Sequence, residues 1–465
     1  MFEIGICDDV RSVFPDTAVP DIDGYYTLSE RWRRIYEGNP DWSSVKKSGL
    51  YRSGNRRLSM LNTAKVLCDR LAVLINSEEP EVIFSNEKYG SYVLNVLKKT
   101  GFLQRMTGIL SRAYASGGVV FRPFINGGEV DIDCVYGSGF VPVEWSGEKI
   151  LSGCFSSVRA AKGYYYTLYE MHSSENGVPV VEYRLYKSKD SSSRGKECPL
   201  SELYPMLEEK LVFDGCMEKS LFSCFRPCSV NNLYADVPMG ISFFANAEDT
   251  LKAIDVAFDS FSREFVLGRK RIIVPSSCVQ TVTDISTGEQ RQYFDADDEA
   301  YVALKCDEER DLKITDNTVS LRVDEHIKAI NALLDILCFQ TGLSAGTFSF
   351  NSAEGVKTAT EIISRDSRTA SLVKTEQNNL SRVLISLFKA IIELGIYSGQ
   401  LERAECDITV AWHDGIITDE NTLIANCISL VNSGLKSKVT AIMEIRRCSY
   451  EAAVEEYERI LKEEV

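Results

Sequence analysis

From residue 244 to 265, apolar side chains recur at Phe244, Ala247, Leu251, Ile254, Phe258, Phe261 and Phe265, with spacings of 3, 4, 3, 4, 3 and 4. Such a heptad seam forces an α-helix with one continuous packing stripe, because no strand presents that period on one face. A second seam follows at Val323, Ile327, Ile330, Leu334 and Leu337, spaced 4, 3, 4 and 3. The two seams predict helices over 241–268 and 323–341, the first about 42 Å long at 1.5 Å per residue. Gly268 supplies a C-terminal stop, and Arg269, Lys270 and Arg271 suit the negative end of the helix dipole. Two seams of equal period are expected to pack as antiparallel neighbours, with residues 269–322 as an insert at their far end. Glu248, Asp255 and Asp259 fall off the seam, on another face.

The insert carries short strand candidates (RIIVP, RQYFD, AYVALK, DLKIT) between acidic turns. Upstream, residues 62–76 read as an amphipathic helix with Leu67, Leu71 and Leu74 on one face, closed by Pro80. Alternating, aromatic-rich runs between 81 and 235 predict an antiparallel sheet. Basic and aromatic residues interleave at 31–57, among them Arg31, Trp32, Trp42, Lys46 and Arg56. That pattern suits nucleic acid, but a solvated surface or subunit contact weighs more. Downstream of the second seam, 342–357 (GLSAGTFSFNSAEGVK) has three glycines and no helical period. A loop of that length inside a folded chain points to function, and Phe348, Ser349, Phe350, Asn351 and Lys357 are its candidate contact residues. A long helix is expected from Thr358 to Leu394, polar at first and apolar later, then a return strand at 406–412 and three short helices.

The chemistry that the chain excludes narrows its class. Its 465 residues suggest two or three substructures, and no run of 18 apolar residues exists for a membrane helix. The acidic N-terminus does not read as a secretory signal, so the protein is expected in the cytoplasm where it is made. Fourteen cysteines include no C-x-x-C; the spacing of Cys216, Cys224 and Cys228 does not suit zinc, and reduced buried thiols are expected. There is no P-loop, G-x-G-x-x-G, H-E-x-x-H or G-x-S-x-G. His172, His326 and His413 lack a partnering motif. The acidic run Asp295, Asp297, Asp298 and Glu299 fails as an EF-hand, because Ala300 and Cys306 stand where glycine and glutamate are needed. No catalytic residue, metal or cofactor is expected, and the chain reads as a non-enzyme. A net charge of −15 means that it either avoids nucleic acid or lets it slide without sticking.

Four stretches in this order carry a resemblance: LNTAKVLCDRLAVLINSEEPEVIF at 61–84, PMGISFFANAEDTLKAIDVAFDSFSREFVLGRKRIIVP at 238–275, TGLSAGTFSFNSAEGVKTATEI at 341–362 and WHDGIITDENTLIANCISLVNSGLKSK at 412–438. Through them, residues 50–465 resemble the portal proteins of long-tailed phages that infect Gram-positive bacteria. The resemblance implies an α+β portal fold with an α/β wing (1–240 and 358–416), a two-helix stem (241–268 and 323–343), a β-rich clip (269–322), a tunnel loop (344–357) and a helical crown (417–465).

It further implies a dodecameric ring at one capsid vertex, assembled in the host bacterial cytoplasm and ending in the virion. Double-stranded DNA would pass through the ring without sequence specificity. The implied partners are the terminase large subunit and a head-completion adaptor at the clip, with scaffold and major capsid proteins around the wing; no membrane is implied. An acidic wall would repel phosphates and keep DNA sliding. Glu248, Asp255 and Asp259 are the candidate lining, with solvated outer residues or intersubunit ion pairs as the competing reading. Phe244, Leu251, Ile254, Phe258, Phe261, Phe265, Ile327, Ile330, Leu334 and Leu337 are the candidate stem packing. The alternative to a portal is an oligomeric scaffold built on a heptad-helix hairpin that never surrounds DNA.

Overall fold

The computed structural model describes residues 5–48, 53–77, 79–216, 218, 220–267, 272–275, 281–283, 290–292, 301–304, 315–316, 320–349, 367–412, 420–446 and 450–463. The fold is α+β. It opens with helices α1 (Ile6–Val13) and α2 (Asp23–Tyr36) and a hairpin of β1 (Ser44–Ser48) and β2 (Ser53–Arg57). Then come α3 (Thr63–Ile75), β3 (Glu81–Phe84), α4 (Glu87–Thr100) and α5 (Phe102–Ser116). Of the predicted face of α3, Leu67 and Leu71 have no exposure while Leu74 is half-buried, and Ile75 beside it is fully buried. Asn86 caps α4 by accepting from the backbone N–H groups of Lys88 and Tyr89.

The β region follows as β4 (Val119–Asn126), β5 (Glu129–Val135), β6 (Phe140–Ser146), β7 (Lys149–Ala161), β8 (Tyr164–Glu175), β9 (Val178–Ser188), β10 (Lys196–Cys198), β11 (Lys210–Val212) and β12 (Ser223–Phe225). One antiparallel sheet runs β10-β9-β8-β7-β6, with β11 also on β9, and a second runs β12-β4-β5. The long strands place Phe155 opposite Glu170 and Gly153 opposite His172. Gly153 is needed there: a Cβ would sit 2.4 Å from the Phe140 ring. The aromatic cluster of Phe140, Phe155 and Phe222 packs edge-on or tilted at 4.7 to 5.6 Å.

A 3-10 turn at Ala245–Ala247 leads into α6 (Glu248–Leu267). The strands β13 (Ile272–Pro275), β14 (Thr281–Thr283), β15 (Gln290–Gln292), β16 (Tyr301–Leu304) and β17 (Thr315–Asp316) stand between it and α7 (Val323–Thr341). β13 pairs with β16 in parallel and with β17 in antiparallel sense, and β14 pairs with β15. The chain ends with α8 (Ser367–Tyr397), β18 (Ile408–Ala411), α9 (Glu420–Asn432), α10 (Lys438–Arg446) and α11 (Tyr450–Glu463). β18 returns to pair with β3, far back in the sequence. Leu380, Leu384, Leu387, Phe388 and Ile391 of α8 have no exposure and join the core shared with α3, α5 and β4.

The spacing predicted one continuous helix from 241, whereas the described α-helix starts at Glu248. The reason is local. The Phe244 N–H is held by the Ser242 hydroxyl, and Phe243 N donates to Tyr114 O, which ties 242–244 to α5 rather than to a helical turn.

Candidate functional site

The helices α6 and α7 form an antiparallel hairpin whose register is set by a few contacts. The Phe261 ring stands 5.7 Å from His326, and both guanidinium donors of Arg322 reach Glu264 at 3.1 Å. Packing along the seam falls off with distance from the β region. Phe244, Leu251, Ile254, Ile330, Leu334 and Leu337 are buried; Phe258, Phe261 and Ile327 are half-buried; Phe265 is 46% exposed. The inner half is backed by α3 and by the segment before it.

That segment, residues 31–61, accounts for the acids of α6. Glu248, Asp255 and Asp259 lie at spacings of 7 and 4, hence on one face. Trp32 Nε1 donates to Glu248 Oε1 at 2.9 Å, and Arg31 Nη2 lies 2.8 Å from Glu248 Oε2. Trp42 Nε1 donates to Asp255 Oδ2 at 2.9 Å, and Leu61 N to Asp255 Oδ1 at 3.3 Å. Arg56 makes a two-pronged contact with Asp259, 2.6 Å on each side, and Ser59 N adds a third donor at 3.0 Å. Asp255 and Asp259 are each 5% exposed.

The expectation of an open acidic wall at Glu248, Asp255 and Asp259 is therefore corrected. A buried carboxylate needs donors, and the basic and aromatic side chains of 31–61 supply them. The same contacts give the basic segment a role within its own chain, where the sequence suggested a solvated surface or a subunit contact. The signal was present as four indole or guanidinium side chains facing three acids on one stripe. Nothing in the linear order pairs them.

The electrostatics differ along the ladder. Burial holds the Glu248 and Asp255 carboxyls above their ordinary values, against the pull of Arg31 and of the Trp42 donor. The Arg56 guanidinium holds the Asp259 carboxyl below its ordinary value. Other buried acids are likewise structural. Glu170 sits between Arg122 Nη1 at 2.8 Å and His172 Nε2 at 2.6 Å, and Glu376 accepts from Tyr114 Oη and Cys228 N. Burial pushes the Cys216 and Cys228 thiols up to about 12, the opposite of what a nucleophile or a metal ligand needs. Among the described residues no cluster of three metal-ligating side chains exists. Asp295, Asp297, Asp298, Glu299 and His413 lie outside the described residues.

After α7 the chain turns at Gly342, whose φ of +77° is left-handed, and its N–H groups close onto the helix end. Ser344 is buried against Thr369 of α8, while Gly346 N donates to Asp335 Oδ1 at 2.9 Å. The described start of the loop is thus laid back along α7. Phe348 packs against the core, and Ser349 is exposed. Phe350, Asn351 and Lys357 lie outside the described residues. One face of α7 was not singled out from the sequence: Glu325, Lys328, Ala329, Ala332, Ile336 and Phe339 are all exposed on the side opposite the seam.

A family model described as phage portal protein, SPP1 Gp6-like, matches residues 23–465. No curated protein matches the sequence. A chain from a solved structure titled "Virion of native gene transfer agent (GTA) particle" is similar over 82% of this chain and 88% of that one, with 10% identity and a TM-score of 0.39.

Proposed function

The chain belongs to the SPP1 Gp6-like phage portal proteins, structural, non-enzymatic components of the virion, and from that membership we propose that it closes into a ring around double-stranded DNA at one capsid vertex. The observation that carries the proposal is the α6–α7 hairpin, bracketing a strand-containing insert and followed at once by the glycine-bearing loop. In this reading 241–268 and 323–343 are the stem, 269–322 the clip, 344–357 the tunnel loop, 417–465 the crown, and 1–240 with 358–416 the wing.

Ring dimensions are compatible with a duplex. Twelve stem helices side by side at about 10 Å give a diameter of about 38 Å through their axes, and an opening of about 28 Å between helix surfaces. The terminase large subunit and the head-completion adaptor dock at the clip, and scaffold and capsid proteins surround the wing. Assembly takes place in the host cytoplasm. In the loop, Lys357 reaches a phosphate while Phe348 and Phe350 brace the neighbouring subunit.

Negative-stain imaging of the purified chain tests the ring. Closed rings support it, and dimers or small open oligomers would favour a scaffold that never encloses DNA. Deleting 346–355 is expected to leave rings intact and to impair DNA packaging or retention. Normal packaging by that variant would remove the loop assignment.

A further inference from the structure

Of the three acids on the α6 ladder, Asp255 is the one that meets no cation among the described residues. Glu248 has Arg31 and Asp259 has Arg56, whereas Asp255 is held by neutral donors, Trp42 Nε1 at 2.9 Å and Leu61 N at 3.3 Å. Asp255 also borders a small cavity where α6 meets the start of α3. We propose that this cavity is a binding site for a single water molecule, which joins Asp255 of α6 to Asn62 and Thr63 at the start of α3. The inference goes beyond the ring reading and holds whether or not the chain encloses DNA.

Two orphaned oxygens point to an occupant. Asn62 stands at the N-cap of α3 with a left-handed φ of +50°, yet its side chain accepts no hydrogen bond from the helix, the usual use of asparagine there. Its Oδ1 is instead buried without a protein partner, and so is Thr63 Oγ1 beside it. Thr63 is 7% exposed and Asp255 5%. Asn62, Thr63, Asp255 and Trp42 all line the cavity. A buried oxygen without a partner forfeits its hydration, so a site that collects two of them favours an occupant that restores the lost hydrogen bonds.

Size and chemistry select that occupant. The space free to a water-sized sphere is about 10 Å³, room for one water molecule. The rest of the wall includes the apolar Ile35, Pro40, Met60 and Leu251. Water has two hydrogens to give and two lone pairs to receive. It accepts from the Thr63 hydroxyl and donates to Asn62 Oδ1 and to the Asp255 carboxylate, so each orphan gains the partner it lacks. A metal cation fits less well. Hard cations take about six oxygens or more, and this wall offers side-chain oxygens from three residues. The water thus gives Asp255 a further donor where Glu248 and Asp259 have a guanidinium.

The test is the sign of one isosteric change. Thr63→Val keeps the shape and removes the hydroxyl, and Thr63→Ser keeps the hydroxyl. In the full-length chain, hydrogen-exchange mass spectrometry follows the amides of 61–68 and 251–259. Thr63→Val is expected to speed exchange there by about tenfold, because the water loses its donor, while Thr63→Ser stays close to the parent chain. The Thr63→Val and Asp255→Asn changes should also be coupled, the double variant falling short of the product of the two single effects by about threefold or more. A high-resolution structure of the parent chain should show one density peak within hydrogen-bond reach of Asn62 Oδ1, Thr63 Oγ1 and the Asp255 carboxylate.

Unchanged or slower exchange in Thr63→Val would mean a dry cavity and overturn the proposal, as would independent effects of the two changes or a well-ordered cavity without a peak. Exchange is also compared in potassium, sodium and choline chloride at equal ionic strength, and no difference is expected. Protection that follows one metal ion would replace the water by a cation and end the proposal as well.

Discussion

Asp255 and Asp259 sit one turn apart on α6 and answer to acid in opposite directions. Asp259 is held low by Arg56, so its contribution is present above the ordinary aspartate range and is lost as pH falls through its lowered folded value. Asp255 is held high by burial, so its contribution is present at low pH and is lost as pH rises through its raised value. Asp259→Asn is expected to cost about 2 kcal/mol at neutral pH, as a buried, charge-assisted contact does. The loss should shrink in acid, where the wild-type carboxyl is also protonated. Asp255→Asn should instead flatten the pH profile between the ordinary aspartate range and neutrality. Urea midpoints measured across that range check both; a parallel response of the two variants would contradict the assigned environments.

At the scale of elements, the hairpin is unevenly held. Ile254 and Leu337 have no exposure, and truncating either to alanine is expected to cost about 3 kcal/mol. Phe265→Ala, at a half-exposed site, should cost about 1 kcal/mol or less. Gly342→Ala meets no atom within 4 Å but forces a left-handed residue, an expected loss of about 1 kcal/mol. Thermal or chemical unfolding of the four variants gives the gradient directly; equal losses at Ile254 and Phe265 would argue against it. The existence of both helices was legible because heptad spacing reports burial on one stripe whatever the rest of the chain does. Their ends were less so. Ser242 and Phe243 are both bonded to Tyr114 of α5, and local spacing cannot register a partner more than a hundred residues away. The acids were read from their place off the seam, which says that a residue avoids one neighbour and leaves open whether it has another.

For the whole molecule, the segment 31–61 joins α6 to the α+β body through Arg31, Trp32, Trp42 and Arg56. Trp42→Ala or Arg56→Ala is expected to speed amide exchange across Asp255–Leu267 while leaving the α8 core at Leu380–Ile391 protected. Hydrogen-exchange mass spectrometry separates these outcomes, and uniform loosening would point to general destabilisation instead. The α+β class and the absence of catalytic motifs were readable from the sequence, and family membership agrees with both. The clasp on α6 was not, because its donors and acceptors lie far apart in the chain and gain meaning only once α6 is placed.

That clasp also imposes an order of events on biosynthesis. Its hydrogen bonds join residues 194 to 216 positions apart. At about 5–20 residues per second, the donors wait roughly 10–40 s on the ribosome before their acids emerge. During that interval Trp32 and Trp42 have no α6 to dock on, and the hairpin is unfinished. Docking of the segment thus waits on synthesis past α6, and the buried acid face of that helix is completed only then.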